Sequence, residues 1–394
     1  MPRIPSLAFP CRILYNKMLT NIRKETSPLN VLYLLNHAGK AGTERYVETL
    51  ARTLSADGRV KPFFAYNEGG LLVERMEEMG VPVRQLTMSS RYDLKAAKTL
   101  AALCKEWQID LIHCHYLREN YIAMLAKTWN KHIRVVYTNH FILPNNWHTR
   151  LSNKLLDGRQ DEMIAVCTKG REQLMENGWN GKHIRVIFNA VDPAQWAGTD
   201  STLRQELGIP EDRFVMLCAS RFAHDKGHPY LLKSLKKLTE LSSKPFTMVL
   251  AGDGELLEPM KALAAELGLT DEQLKFVGFR KDIRNLYHGA DLYINSSQHE
   301  ALSFLIVEAM ASGLPAVITD MGGNRDILEG PEQGGLLAVY DDPDSMAKAM
   351  QRFLEDEAFR ASCRENALRN IEDRFALDKM AAATFRTYTD AAAR

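Results

Sequence analysis

The segment HEALSFLIVEAMASG, residues 299–313, sets two glutamates eight positions apart, Glu300 and Glu308. Glu308 sits among Phe304, Leu305, Ile306, Val307, Ala309 and Met310, a run that reads as a buried helix. A carboxylate there needs a partner, because stripping its hydration costs several kcal/mol. Glu300 precedes that helix in a polar turn, and the first helical amides, near Ser303 to Leu305, would suit a phosphate. From about two turns along, Glu308 would reach a pair of vicinal hydroxyls, such as a sugar offers. The plainer alternative makes it an ordinary buried acid held by an arginine or amide elsewhere in the chain.

Upstream, CASRFAHDKGHPYLL places Arg221 and Lys226 five positions apart in a loop, with Gly227 beside the lysine. A guanidinium gives bidentate phosphate contacts and an ammonium adds a mobile point charge. Together they would neutralise a diphosphate, including the charge that grows as it leaves. Near the start, LLNHAGKAGTERYVETLA puts Gly39 and Gly42 between a strand and a helix, with Thr43 as the expected cap. Such a turn lets backbone amides approach an anion, although it is not a full G-x-G-x-x-G. His113 and His115 alternate on one strand face, but two histidines without a third ligand make strand-end packing or acceptor contact the better reading than a metal. Asp342 and Asp344 in DDPD precede a helix, so capping explains them more simply than metal binding. No catalytic metal is expected.

These groups must be held by the rest of the chain. At 394 residues, with 45% hydrophobic and 25% charged residues, it has the composition of a globular protein of two or three domains. No apolar run approaches the roughly 20 residues of a spanning helix. The six cysteines are scattered without a C-x-x-C pair, as in a reducing compartment. Residues 1–190 carry a net charge of about +10 and residues 191–394 about −9. The basic half suggests an anionic partner, a phosphate-bearing acceptor or a lipid surface. Residues 1–28 lack a clean secretory signal and read as a tail, an extension upstream of Met18, or a weak membrane-surface arm.

Short apolar strands alternate with helical stretches, the pattern of a parallel α/β sheet. Strands are expected at 30–36, 61–66, 110–116, 134–140 and 163–168, with an exit strand and linker near 185–198. The rhythm restarts at 213–220 and continues at 247–254, 274–279, 291–297 and 314–320, so two doubly wound units are expected. Ligands of such sheets bind beyond the carboxyl ends of the strands, which points to the cleft between the units.

In their order along the chain, GKAGTE, FNAVD, SRFAHDKG, AGDGEL, VGFRKDIRNLYHGADLYINSS, Glu300 followed by AMASGLPAVIT after Glu308, and GGNRDIL resemble the retaining glycosyltransferases of family four. The resemblance covers roughly residues 29–390. It implies the GT-B fold: an N-terminal Rossmann-like acceptor domain (29–192), a C-terminal nucleotide-sugar donor domain (193–375), and a final helix (376–394) that packs back on the first domain. It further implies that Arg221 and Lys226 hold the donor diphosphate, that Glu308 grips the ribose, and that Glu300 contacts the donor sugar beside the reacting carbon. Gly278 to Arg280, including Phe279, occupy the place of the base. Gly252 and Asp253 of AGDGEL, with Ser303, Phe304 and Leu305, complete the donor set, and Gly42 matches the glycine turn near the phosphates. His140, ending YTNH, resembles the histidine that reaches the transferred sugar.

The implied activity is sugar transfer from a nucleotide-sugar, a UDP-sugar by family base rate, to an acceptor hydroxyl; the basic first half suggests a carbohydrate or lipid-linked acceptor in surface polysaccharide or glycolipid synthesis. His113, His115 and Trp147 are the acceptor-side candidates. No cofactor beyond the donor and no nucleic acid partner are expected. The location expected is cytoplasmic, at or near the inner face of a membrane. A nucleotide-sugar epimerase or hydrolase, or a non-catalytic binding module on the same fold, are the rivals. The chain departs from the family where Glu-Gly-Phe-Gly is common, reading Glu300-Ala301-Leu302-Ser303, and it carries Ala190 where glycine is usual.

Overall fold

The computed structural model describes residues 28–142, 146–329 and 333–394. The tail or extension expected over residues 1–28 lies outside these, save Pro28.

The first unit is a seven-stranded parallel sheet. Its strands are β1 (Leu29–His37), β2 (Val60–Glu68), β3 (Val83–Gln85), β4 (Leu111–Cys114), β5 (Arg134–Asn139), β6 (Glu162–Ala165) and β7 (Ile184–Val186), in the order β3-β2-β1-β4-β5-β6-β7. The second is a six-stranded parallel sheet of β8 (Phe214–Ala219), β9 (Phe246–Ala251), β10 (Leu274–Gly278), β11 (Leu292–Asn295), β12 (Ala316–Thr319) and β13 (Gly335–Ala338), ordered β10-β9-β8-β11-β12-β13. These are the two doubly wound units that the repeating rhythm implies.

Alternation along each strand fills both faces. In β1, Leu32 and Leu34 enter one core cluster while Val31, Tyr33 and Leu35 enter the other. In β8, Val215, Leu217 and Ala219 face one way and Phe214, Met216 and Cys218 the other. Strands buried on both faces must read as continuous apolar runs, which is why they stand out in the sequence. The two strands not anticipated, β3 and β13, are short strands at the sheet edges: β3 (VRQ) is polar and partly exposed, and β13 (GLLA) is apolar but only four residues long.

The chain crosses between the units twice, and the two crossings are hydrogen-bonded together: Val191 donates to the Phe375 carbonyl (3.0 Å) and Leu377 to the Val191 carbonyl (2.8 Å). After the second crossing the helix Leu377–Ala392 packs over the first sheet, with Met380, Ala381, Tyr388 and Ala391 in its core. The described cysteines are free and buried. Among the described residues, no helix is long and apolar enough to cross a membrane.

Candidate functional site: a charged cleft between the domains

The loops after β1 and β5 and those after β8 and β11 face each other across a cavity of about 640 Å³. That volume suits a ligand of nucleotide-sugar size.

On the second-domain wall, β8 delivers Ser220 and Arg221 into the cavity, and a short turn brings Lys226 back to it. Gly227 makes this return feasible. Its φ of 67° lies in the left-handed region, and a β-carbon there would stand 2.0 Å from the Ser296 carbonyl oxygen. The Ser296 hydroxyl donates to the Lys226 carbonyl (2.8 Å), fixing the turn to the end of β11. Lys226 Nζ donates to Glu300 Oε1 (2.8 Å) and lies 3.3 Å from Asp225 Oδ2; Ser297 Oγ also donates to Glu300 Oε1 (3.0 Å). Burial opposes the Lys226 charge, but Glu300 and then Asp225 outweigh it, and the ammonium is held above its ordinary pKa. Arg221 is 68% exposed, with Nη2 3.7 Å from Asp225, so its guanidinium is only loosely held. The Glu300 turn rests on the GGNRDIL segment. Gly322, at φ 57°, lies where a β-carbon would stand 1.7 Å from the Glu300 carbonyl oxygen, and Gly323 N donates to that oxygen (3.2 Å).

Two helices start at the cavity. Phe304–Ala311 begins after Ser303, and Gly42–Ala56 begins after Ala41; neither start carries a side-chain cap. Their orphan N–H groups and the positive ends of their dipoles favour an anion between them. The cap expected from Thr43 is therefore displaced: the N-cap is Ala41, two residues earlier, and the helix starts at Gly42, which lies against the Phe304 ring.

Glu308 is 1% exposed and lies behind the cavity wall. Its partner is Arg45 of the first domain, whose guanidinium donates to Oε1 while lying over the Phe304 ring (5.2 Å), and Tyr287 donates to Oε2 (3.4 Å). Burial raises the Glu308 pKa and Arg45 opposes that rise. Arg45, Lys40, His299 and Asn189 also line the cleft and were not among the expected site residues. Arg45 stands in GTERYV beside the glycine turn, but nothing in the sequence ties it to a glutamate 263 positions away.

The first-domain wall is of another kind. His140, at the end of β5, lines the cavity; its Nε2 is 3.1 Å from His115 Nδ1 and its ring meets the Tyr46 ring edge-on. Burial lowers the His140 pKa to about 3, and holds His113 and His115 well below the ordinary value, so all three are neutral imidazoles near pH 7.

The acceptor-side expectations need correction. His113 is fully buried, bonded to the Tyr388 hydroxyl (2.6 Å) and to Thr138 Oγ1 (2.7 Å), because the closing helix covers that end of β4. His115 is equally buried and meets the cleft only through His140. Trp147 lies on an outward helix face, away from the cavity wall. Four donor-side expectations also fall outside the wall. Gly252 supports β9 against the Ser220 carbonyl, and Asp253 closes the turn that receives Phe222 N (2.9 Å). Phe279 is largely exposed, and Arg280 is ion-paired with Asp282 (2.5 Å) and Glu206 (2.9 Å). Among the described residues no group of three or more His, Cys, Asp or Glu is placed to hold a metal ion, and Asp342 caps the helix Pro343–Glu355 by accepting from Asp344 N and Ser345 N.

Comparison with known proteins gives a consistent picture. The family model for Glycosyltransferase Family 4 matches residues 41–195, and that for Glycosyl transferases group 1 matches residues 199–370. Among similar proteins, an uncharacterized glycosyltransferase of Methanocaldococcus jannaschii is 28% identical over 212 residues, 52% of this chain and 53% of that protein. The match thus spans about half the length of that relative. The N-acetyl-alpha-D-glucosaminyl L-malate synthase of Bacillus anthracis is 27% identical over 73% of this chain and 77% of its own. The UDP-Gal:alpha-D-GlcNAc-diphosphoundecaprenol alpha-1,3-galactosyltransferase of Escherichia coli is 26% identical over 70% of this chain and 74% of its own. Of solved structures, a glycosyltransferase from Rickettsia africae superposes with a TM-score of 0.83 at 20% identity, covering 93% of this chain and 99% of that one. Anabaena Alr3699/HepE in complex with UDP gives 0.81 at 22% identity, covering 92% and 100%.

Proposed function

Since the chain belongs to the family-four glycosyltransferases, with their two-domain GT-B fold, we propose that it transfers a sugar from a UDP-sugar to an acceptor hydroxyl, with retention at the anomeric carbon and without a metal. The observation that carries this reading is the convergence of two uncapped helix starts, Arg221 and Lys226 on the cavity that also holds Glu300. A diphosphate set there meets N–H donors from both domains and two cations from one. UDP as the nucleotide draws on the UDP complex of the Anabaena structure and on the UDP-Gal named for the Escherichia coli relative. A lipid-linked acceptor draws on the diphosphoundecaprenol in that same name.

In the transfer, the bond from the anomeric carbon to the diphosphate oxygen breaks and the acceptor oxygen bonds to that carbon. The acceptor proton passes to the departing phosphate, and UDP leaves. Lys226 and Arg221 stabilise the charge growing on the diphosphate. Glu300 already accepts from Lys226 and Ser297 on one oxygen. A carboxylate so engaged is a poor nucleophile, which favours a role in positioning the sugar and balancing charge at the reacting carbon. Neutral His140 supplies a hydrogen bond to the sugar from the opposite wall. A ribose gripped by Glu308 would share it with Arg45, so seating the donor draws the first domain into the site.

The test incubates the protein with UDP-, GDP- and ADP-sugars and a panel of acceptors that includes polyprenyl-diphosphate sugars, with and without EDTA. Release of UDP that requires acceptor, persists in EDTA and yields a product of unchanged anomeric configuration by proton NMR is expected. Sugar inversion, a requirement for added metal, or donor turnover indifferent to acceptor would each overturn the corresponding part.

A further inference from the structure

The helix Trp147–Leu156 has its polar and apolar sides reversed. At about 100° per residue, Thr149, Ser152, Asn153 and Leu156 fall on one side, and these are the residues the protein covers. Asn153 is buried, accepting from the Tyr121 hydroxyl (2.5 Å) and donating to the Asn177 carbonyl (2.7 Å); Ser152 Oγ meets the Tyr92 hydroxyl (2.6 Å). The opposite side carries Trp147, Leu151 and Leu155, which are 68%, 52% and 76% exposed. A surface helix ordinarily buries its apolar stripe and shows its polar one.

The surroundings say what the stripe meets. Arg150 and Lys154 run along one flank, and the helix contains no acid. The neighbouring turn adds exposed Tyr92 and Leu94, with Arg91 Nη1 reaching Thr149 Oγ1 (3.4 Å) and Lys95 exposed beside it. Its acid, Asp93, caps the next helix by accepting from Ala96 N (2.9 Å) and from Ser89. Apolar residues headed by a tryptophan and bordered by cations match the boundary between acyl chains and anionic headgroups.

We propose that this face seats the protein on a bilayer bearing anionic phospholipid, with Trp147, Leu151 and Leu155 entering the boundary and Arg150, Lys154 and Arg91 meeting the headgroups. Ile142 lines the cleft and stands five residues before Trp147. Five residues span at most about 18 Å, so the start of this helix lies within that distance of a cleft residue. The surface is read from exposure and charge and does not depend on the chemistry within the cleft.

The experiment floats the full-length protein with vesicles of phosphatidylcholine alone, and with phosphatidylglycerol at about a third of the lipid. Co-flotation with the anionic vesicles, weakened by high salt, is expected. Arg150→Gln and Lys154→Gln should each lower the partition coefficient about fivefold. Trp147→Ser with Leu151→Ser and Leu155→Ser should abolish flotation while the melting temperature holds, since all three side chains are exposed. Wild-type protein that stays in the aqueous fraction would overturn the proposal. So would a triple variant that floats unchanged, or sedimentation showing that the stripe joins two copies of the chain in the absence of vesicle binding.

Discussion

The two walls of the cleft face the same space with opposite chemistry. The second-domain wall is charged and its charges are spoken for: Lys226 on Glu300 and Asp225, with Arg221 loosely on Asp225. The first-domain wall carries Lys40 and Arg45 beside its glycine turn, but around His140 it is neutral, backed by imidazoles and phenols packed ring to ring. Several buried polar atoms there, including His115 Nε2 and the Tyr33 and Tyr46 hydroxyls, have no hydrogen-bond partner within the distance and angle limits of a good bond. On the proposed function the difference separates two tasks. A wall that must hold a diphosphate needs fixed positive charge, and fixed charge inside a protein needs counter-charges to stay soluble in the fold. A wall that must admit a sugar needs short, neutral hydrogen-bonding groups whose protonation does not change near pH 7. An ion pair ties the walls together, Arg45 to Glu308, and beside it Asn189 Nδ2 donates to the Leu302 carbonyl (2.9 Å).

The widest gap between the walls should appear in catalysis. Lys226→Ala should lower kcat by about 10²- to 10³-fold, the scale of losing one preorganised charge donor. His140→Ala should cost far less, about fivefold, as for one neutral hydrogen bond. Steady-state kinetics decide it, and equal losses would erase the division of labour.

Next in size is the link. Arg45→Met leaves Glu308 as a buried carboxylate without its cation, and should cost about 3 kcal/mol, the low end for a broken buried pair because Arg45 is itself partly exposed. Adding Glu308→Gln should restore most of that by urea denaturation. If the two losses simply add, Arg45 and Glu308 are not energetically coupled.

The smallest effect is with pH. His140 has a folded pKa near 3 against about 6.5 when unfolded. As pH falls through 6.5 the unfolded chain takes up a proton that the folded chain refuses, so this stability is full above 6.5 and is lost toward pH 3. By pH 5 the loss should be about 2 kcal/mol. Glu119, buried and pushed up to about 8, acts the other way, losing stability as pH rises from about 4.5. The readout is therefore the difference between wild type and His140→Asn, melted across pH 5–7. A difference that does not grow as pH falls would show that His140 is not held neutral by burial.

The charged wall was legible in the sequence and the neutral wall was not, for a physical reason. Arg221, Lys226 and Glu300 each follow an apolar strand at a fixed short distance, so local pattern places them at the carboxyl edge of one sheet. The short helix after Glu300 and the buried Glu308 were likewise readable, down to the need for a partner. That the partner is Arg45 was not, because the contact joins two domains. His113 and His115 read as one strand face, but their depth depends on Tyr388, 275 residues from His113 on a helix that returns after both domains are complete. From its company of bases, Trp147 reads as an acceptor contact. The i, i+4, i+8 spacing of Trp147, Leu151 and Leu155 was present in the sequence, yet only the burial of Asn153 shows which way that stripe faces. Phe279 and Arg280 follow β10, two strands from β8, and do not line the cavity.

The central claim is that the cleft holds a nucleotide diphosphate by the second-domain cations and the two helix starts. Calorimetric titration with UDP, UMP and uridine, on wild type and on Arg221→Ala and Lys226→Ala, tests it most directly. The account expects affinity to rise steeply from uridine through UMP to UDP, and the UDP advantage to collapse in both variants. Equal affinity for UDP and uridine, or variants that bind UDP as the wild type does, would contradict it.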